Sequence, residues 1–414
     1  MKIEIDTVKG FQDYLPPESL KRKKIVETAE KYFQLYGFVP IETPIIEYEE
    51  LMKPSSLPSE GEDEAVADRF RLQDRGGRNL GLRYEFTFQL SRILKQNPNL
   101  KMPFKRYQIG PVFRDEPIRQ GRTRQFTQCD IDIIGDSSIN ADAECISCIS
   151  DILKALDIKD IEISVNNRKL LNAIIESVQI SNPKQVMREL DKIQKIGEDE
   201  VKTNLRKYTT PNQIITLLKL LDKPLSFFID NAFDGAKDLQ DLISLCSLYG
   251  LKPIFNPYMI RGFAYYTGNI FEIIKQGKNS LVGGGRYDDS IGKYLNKEIP
   301  AVGISFSIEA LMGICSDELK SLKTEKIPSC LLISISEDKE SIKLAKALRK
   351  KDISCTLTFG QITKQLEYAN SLKIPYVIFI GENEIEKKKF KLKDMSSGKE
   401  ELLTEKQMIL KLSK

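Results

Sequence analysis

The sequence predicts an α+β chain: a large antiparallel sheet with flanking helices, a helical insertion, and a small C-terminal α/β domain. Three stretches predict it. Residues 105–134 read as two strands, KRYQIGPVFR and RQFTQCDIDIIG, joined by DEPIRQGRT. Residues 168–249 are helical in pattern, strand-poor and without a catalytic constellation. Beyond Pro328 strand and helix alternate as βαβαβ, which implies right-handed parallel crossovers. At 414 residues the chain exceeds the size at which one core usually stops growing. The expected boundaries are 1–167 with 250–324 for the sheet domain, 168–249 for the insertion and 325–414 for the terminal domain.

The elements follow in order. Residues 18–36 place Ile25, Ala29, Phe33 and Tyr36 at helical spacing, and Gly37 ends that helix. FVPIETPIIEYEEL is extended, because its two prolines forbid a helix. Residues 54–66, rich in Pro, Ser, Gly and acid, read as a loop. FRLQDRGGRNLGLRYEFT reads as a hairpin turning from Asp74 to Arg78. In the strand at 124–133, alternation puts Arg124, Phe126, Gln128, Asp130 and Asp132 on one face. Gln125, Thr127, Cys129, Ile131 and Ile133 lie on the other, which is largely apolar and can pack on a core. Two aspartates buried without compensation would be costly, so the first face is expected to line a polar cleft. Residues 140–157 read as a helix and 160–166 as a strand. Strand character resumes in PIFNPYMIRGFAYYTGNIFEII, SLVGGGRYDDSIGKYL and AVGISFSIEALMGI.

Composition narrows the chemistry. There is no histidine, which excludes Ser-His-Asp or Cys-His catalysis and every His-ligated metal site within this chain. The seven cysteines are scattered, and their one close pair, Cys145 and Cys148, falls in a helical segment. Buried reduced thiols and no zinc site are expected, in a reducing cytoplasm. No apolar run approaches bilayer length, and MKIEIDTVKG has no apolar signal core, so no membrane association is expected. The net charge of +4 is uneven: residues 325–414 carry 18 Lys+Arg against 13 Asp+Glu, and the remainder 45 against 46. That excess fits either a polyanion-binding module or a solvated basic surface.

The arginines gather around the strands. Arg114 ends one strand, Glu116 follows it, and Arg122 and Arg124 lie across the turn. Arg261 stands near Tyr265 and Tyr266, and Arg286 follows three glycines. Guanidinium forks suit phosphate oxygens, and glycines let a backbone approach a ligand. A carboxylate such as Glu116 can hold Mg²⁺ beside those phosphates. The set points to a nucleoside triphosphate bound on an antiparallel sheet rather than in a P-loop, and the strand ends of the C-terminal domain carry no GxGxxG or GxxxxGK[ST] pattern.

These segments resemble the class II aminoacyl-tRNA synthetases, and within them histidyl-tRNA synthetase of an archaeal type. TVKGFQDYLPPE opens the resemblance, and GFVPIETPIIE is similar to motif 1, the dimer-interface motif. LGLRYEFT resembles the family's LRPEGT or LRYDLT segment, and FRDEPIRQGRTRQFTQCDIDIIG resembles motif 2 with its loop. IRGFAYYTGNIFE and LVGGGRYDDSIG are similar to the two histidine-specific signatures, and AVGISFSIEAL stands where motif 3 belongs.

The resemblance implies an enzyme that activates histidine with ATP and Mg²⁺ and charges tRNA(His), as a homodimer. It implies that Arg114 and Arg261 are catalytic. It places Glu85, Phe86, Thr87, Arg114, Gln128, Asp132, Arg261, Tyr265 and Tyr266 around histidine, and Arg114, Glu116, Arg122 and Phe126 around ATP. Arg119 and Gln120 would approach the tRNA acceptor end, residues 327–414 would bind the anticodon, and the insertion would clamp the acceptor stem. No residue is implied as a dedicated metal ligand. The chain departs from the pattern at Ala310, where motif 3 ends in arginine, at Ser307, where glycine is usual, and at Ala264. Two further readings of the resemblance are a non-catalytic paralogue serving as regulatory subunit of ATP phosphoribosyltransferase, and an RNA-binding scaffold on the same fold.

Overall fold

The computed structural model describes residues 5–52, 68–118, 122–260, 265–276, 280–292, 295, 297–322, 324 and 328–413. Two compact units divide at residues 322 and 323. The expected loop at 54–66 lies outside the described residues, apart from which the first unit opens with helix α1 (Glu18–Leu35). Its Ile25, Ala29 and Phe33 are buried, and Gly37 leaves it at φ +79°, a left-handed conformation that favours glycine. Short strands β1 (Val39–Pro40) and β2 (Ile46–Tyr48) follow, then the hairpin of β3 (Arg71–Gln73) and β4 (Asn79–Leu82). Asp74 makes that turn: its Oδ1 accepts from the backbone N–H groups of Gly76 and Arg78, at 2.9 and 3.0 Å. Helix α2 (Phe88–Gln96) leads to the long hairpin of β5 (Phe104–Phe113) and β6 (Gln125–Ile134).

Helix α3 (Ile139–Ala155) and strand β7 (Ile161–Asn167) come next. Seven helices then run in succession: α4 (Arg168–Ser177), α5 (Pro183–Leu190), α6 (Ile193–Ile196), α7 (Glu198–Leu205), α8 (Pro211–Leu221), α9 (Leu225–Asp230) and α10 (Ala236–Leu248). Their apolar faces, with Leu170, Val186, Leu217 and Leu242, join one core with the sheet side chains Ile131, Ile273 and Ile304. Strands β8 (Ile254–Phe255), β9 (Asn269–Lys275), β10 (Ser280–Arg286) and β11 (Ala301–Ser307), then helix α11 (Ile308–Ile314), complete the unit. Its eight-stranded sheet has the order β1-β5-β6-β11-β10-β9-β7-β8. The two outermost pairings are parallel and the five inner ones antiparallel. One face of β6 buries Cys129, Ile131 and Ile133 in the core, which leaves the other face for the site.

The second unit contains β12 (Cys330–Ser334), α12 (Asp338–Arg349), β13 (Cys355–Phe359), α13 (Ile362–Ser371) and β14 (Tyr376–Ile380). β12 pairs in parallel with both β13 and β14, as the alternation implied. Leu332, Ile378 and Ile380 pack on one face, and Leu331, Ile333, Val377 and Phe379 on the other. Beyond the βαβαβ core lie helix α14 (Glu382–Glu386), an antiparallel hairpin of β15 (Phe390–Asp394) and β16 (Glu400–Leu403), and helix α15 (Glu405–Leu412).

Candidate active site

Strand register builds the floor of an open cleft of about 280 Å³ on the free face of the large sheet. One row crosses the sheet as Gln108, Asp130, Ser305, Gly283 and Glu272. The next crosses as Arg106, Asp132, Gly303 and Gly285. Along β6 the lining runs Phe126, Gln128, Asp130, Asp132, about 20 Å at the rise of an extended strand. The walls come from Glu85, Thr87, Arg114, Glu116, Arg122, Tyr265, Tyr266 and Tyr287. The site is therefore polarised. Acids gather toward Asp132, with Asp130 and Glu85, while Arg114 and Arg122 stand at the Phe126 end.

At the acidic end Asp132 is buried between two partners. Arg106 Nη2 lies 2.6 Å from its Oδ2, and the Tyr287 hydroxyl donates to its Oδ1. Burial pushes the Asp132 carboxyl up, and Arg106 and the Tyr287 hydrogen bond oppose that. Asp130, also buried, accepts at Oδ2 from Gln128 Nε2 at 2.9 Å. Its carboxyl is held well above the usual range by burial, with Asp132 and Glu85 adding to the effect. Gln128 Oε1 and Asp130 Oδ1 have no hydrogen-bond partner among the described residues. Tyr265 donates to Glu85 Oε2 at 3.2 Å, and its ring packs 4.9 Å from Tyr266 and 5.8 Å, edge to face, from Tyr287. Burial, then the Glu85 charge, pushes the Tyr265 phenol well up.

At the basic end Arg114 Nε donates to the Tyr84 carbonyl at 3.1 Å, and its guanidinium lies 5.1 Å from the Phe126 ring centroid. Both groups line the cleft. Arg122 reaches Glu116 at 3.4 Å and is largely exposed. Ala310 lines the cleft beside Ser307, whose hydroxyl caps α11 at the Ala310 N–H, 2.9 Å away. Glu309 ties that helix to the sheet: it accepts from the Thr127 N–H at 2.8 Å and pairs with Arg22 at 2.8 Å.

The cleft thus brings together Glu85, Thr87, Arg114, Glu116, Arg122, Phe126, Gln128, Asp132, Tyr265 and Tyr266. Phe86 is not among them: its ring is fully buried beneath the Arg83 guanidinium, 4.8 Å away. Arg124 turns outward to pair with Asp115 at 3.1 Å. Arg119, Gln120 and Arg261 lie outside the described residues. Arg286, expected to meet phosphate, is instead engaged within the fold. It pairs with Asp142 and Asp288 and donates to the carbonyls of Asp136 and Ser138, both at 2.9 Å. The glycines before it also serve packing, since a Cβ on Gly285 would stand 2.7 Å from the Tyr266 ring. Sequence reasoning placed Asp130 on the cleft face without giving it a role, and missed Arg106, Tyr287 and Glu272 as site residues. A signal for Arg106 was present: in KRYQIG, Arg106 and Gln108 alternate with Tyr107 and Ile109, as Asp130 and Asp132 do with Cys129 and Ile131.

Comparison with known proteins agrees with this architecture. Residues 10–311 match the family described as histidyl-tRNA synthetase, and residues 329–414 match an anticodon binding domain. Among curated proteins, histidine–tRNA ligase 1 of Bacillus cereus is 37% identical over 420 residues, covering 96% of this chain and 95% of that protein. Histidine–tRNA ligase of Wolinella succinogenes is 35% identical over 421 residues, covering 95% and 94%. Both organisms are bacteria, whereas the sequence resemblance pointed to an archaeal type. Among solved structures, histidyl-tRNA synthetase from a Nostoc species aligns with a TM-score of 0.84 and 27% identity over 99% of each chain. A Bacillus halodurans structure titled as ATP phosphoribosyltransferase regulatory subunit/histidyl-tRNA synthetase shares the fold at 20% identity, with a TM-score of 0.74 over 89% of this chain and 97% of that one. The family match spans most of the chain and the curated relatives run nearly end to end along it, so the chain belongs to the histidyl-tRNA synthetase family.

Proposed function

We propose that the polarised cleft joins histidine to ATP as histidyl-adenylate and that the chain then passes the histidyl group to the 3′ end of tRNA(His). The observation that carries this reading is that one cleft is lined by Glu85, Asp130 and Asp132 together with Arg114 and Arg122, with Arg114 against the Phe126 ring. An amino acid presents an ammonium to the acidic end and a carboxylate toward the basic end, where a triphosphate also belongs. In the first step a histidine carboxylate oxygen attacks the α-phosphorus of ATP, and pyrophosphate leaves. The nucleophile is already an anion, so no general base is required, which suits a chain without histidine. The obstacle is repulsion between anions, and preorganised guanidinium groups relieve it as charge develops. In the second step the tRNA hydroxyl attacks the carbonyl of the mixed anhydride, and AMP leaves.

Arg114 holds the α-phosphate and the histidine carboxylate, with Arg261 as the second catalytic cation. Phe126 stacks on adenine, and Glu116 and Arg122 contact ATP. Glu85, Thr87 and Gln128 receive the ammonium, and the open acceptor Gln128 Oε1 supports that role. Asp132, fixed by Arg106 and Tyr287, meets the imidazole with Tyr265 and Tyr266. Among the described residues no group of three candidate metal ligands occurs. Glu116 and Glu272 line the cleft and would hold Mg²⁺ together with the phosphates, in the manner usual for that ion. It would neutralise phosphate charge. No zinc is required.

The C-terminal unit and the 118–123 loop contact tRNA, through Arg119 and Gln120 at the acceptor end. The 168–249 insertion meets the acceptor stem. The extended segment before the first hairpin exposes Val39, Ile45, Ile46 and Tyr48, an apolar surface suited to a homodimer. Among the described residues no helix is long and apolar enough to cross a membrane, and a cytoplasmic setting fits the reduced cysteines.

Histidine-dependent ATP–pyrophosphate exchange tests the reading. Robust exchange is expected, and Arg114→Ala is expected to lower it by roughly 10²–10³-fold. Phe126→Ala is expected to raise the ATP KM strongly, because Ala310 supplies no second stacking group. A purified chain without histidine-dependent exchange would favour the regulatory-subunit or scaffold reading.

A further inference from the structure

The C-terminal unit holds a thiol pair that aminoacylation does not use. Cys330 opens β12 and Cys355 opens β13, and the two are direct register partners on neighbouring parallel strands. Adjacent strands run about 4.8 Å apart, within the ~4.4–6.8 Å separation of Cα atoms that a disulfide spans. Both side chains face the same apolar layer, against Leu344 and Leu348 of α12. Cys330 is buried and Cys355 half-buried; the Cys330 thiol donates to the Ser354 carbonyl at 4.0 Å and the Cys355 thiol to the Ala345 carbonyl at 3.6 Å. Arg349, at the end of α12, donates to the Cys355 carbonyl at 3.0 Å. The other five cysteines, Cys129, Cys145, Cys148, Cys246 and Cys315, are all buried.

We propose that Cys330 and Cys355 form a peroxide-sensitive dithiol, with Cys355 as the nucleophile and Cys330 as the resolving thiol. The Cys355 thiolate attacks one oxygen of hydrogen peroxide and the O–O bond breaks. Cys355 becomes a sulfenic acid, and the departing hydroxide takes a proton to leave as water. The Cys330 sulfur then attacks the Cys355 sulfur, the S–O bond breaks, and a second water leaves with the Cys330 proton. Two thiols and one peroxide give one disulfide and two waters, so each sulfur is oxidised and the peroxide reduced.

The environment favours this order. The adjacent Cys330 thiol, then the nearby Arg349, lowers the Cys355 thiol to about 7 against the opposing effect of burial. The same adjacency, with burial, pushes the Cys330 thiol up. Burial likewise pushes Cys129, Cys145, Cys148 and Cys246 up, which keeps them unreactive. Because β13 is the edge strand of its sheet, the bond would fasten that edge to the interior strand β12. Transient disulfides of this kind are the usual form in a reducing compartment.

The test uses the full chain. Equimolar hydrogen peroxide is added, and peptides are mapped by mass spectrometry without reductant. The expected product is one disulfide, Cys330–Cys355, reversed by dithiothreitol. In Cys330→Ser, Cys355 is expected to accumulate as a dimedone-trapped sulfenic acid. Iodoacetamide should label Cys355 of the untreated protein ahead of the other six, with a rate that inflects near its lowered pKa. Because that measurement uses the unmutated protein, it stands even where a variant misfolds. A different cysteine oxidised first, no intramolecular disulfide, or labelling of Cys355 only on unfolding would each overturn the proposal.

Discussion

Asp132 shows how one side chain is set by its neighbours. It is buried, and Arg106 and Tyr287 hold its two oxygens. Removing one partner of such a pair strands the other. Arg106→Met is therefore expected to destabilise the protein by about 3–5 kcal/mol in urea unfolding. Arg106→Met combined with Asp132→Leu should recover most of that stability without recovering histidine-dependent exchange. If the single and double variants are equally unstable, the pair does not carry the load assigned to it. Asp130 sets a different condition. Its Oδ2 accepts from Gln128 Nε2, which leaves Gln128 Oε1 as the acceptor open to an ammonium. Protonated Asp130 would become a donor and compete for that oxygen. Its pKa is raised, so protonation sets in at higher pH than for an ordinary carboxylate. The histidine KM of the wild type is thus expected to rise toward that of Asp130→Asn as pH falls. Taking the ratio of the two cancels titration of the substrate's own imidazole, and a ratio constant with pH would refute the coupling. Of this set, the sequence made the acidic face legible through its alternation. It did not reveal the partners, because Tyr287 lies 155 residues from Asp132 and only the strand order brings them together.

Among elements, β5–β6 was the most readable, since ten-residue strands of period two leave little choice of which face is buried. The hairpin at Asp74 was equally plain from its turn chemistry. The glycine run was legible only in part: Gly283 lies in the cleft floor, whereas Gly284 and Gly285 pack against the protein itself. Three consecutive glycines signal a close approach but not what approaches, and at Gly284 and Gly285 the neighbours are the protein's own strands and Tyr266. β15 and β16 were missed because KFKLKD and KEELL bury little beyond Leu392 and so read as a charged run. Gly303 on β11 gives this level its test. A Cβ there would collide with Asp132 Oδ1 in the middle of the cleft floor. Gly303→Ala is expected to displace that carboxylate and lower histidine-dependent exchange by about 10²-fold, the usual cost of misplacing a group by an ångström. The readout is kcat/KM for histidine, with circular dichroism to show that the sheet persists. Near-wild-type kcat/KM would mean that the Asp132 position is not critical.

Over the whole molecule, charge is divided unevenly between two compact units. The first carries a near-neutral balance and the cleft, and the second carries the basic excess. The division was legible because Pro328 precedes a regular βαβαβ alternation. The place of the 168–249 helices was less legible, since helical periodicity shows that a face is apolar but not which core receives it, and that core is the one behind the sheet. The charge division predicts two salt responses from one protein. Phosphate contacts spread over a basic surface lose affinity steeply as salt rises, because each releases condensed counterions. Groups in a recessed cleft, with Asp130, Asp132 and Arg106 nearly inaccessible, are screened far less. Raising salt from about 50 to 200 mM is expected to increase the tRNA KM in charging by at least tenfold. Histidine-dependent ATP–pyrophosphate exchange should change by less than about threefold over the same range. Replacing Lys387, Lys388, Lys389 and Lys391 by Gln together should then flatten the salt dependence of charging and leave exchange untouched. If exchange is as salt-sensitive as charging, or if the quadruple variant keeps the full salt slope, the basic excess of the second unit is a solvated surface and the tRNA is held elsewhere.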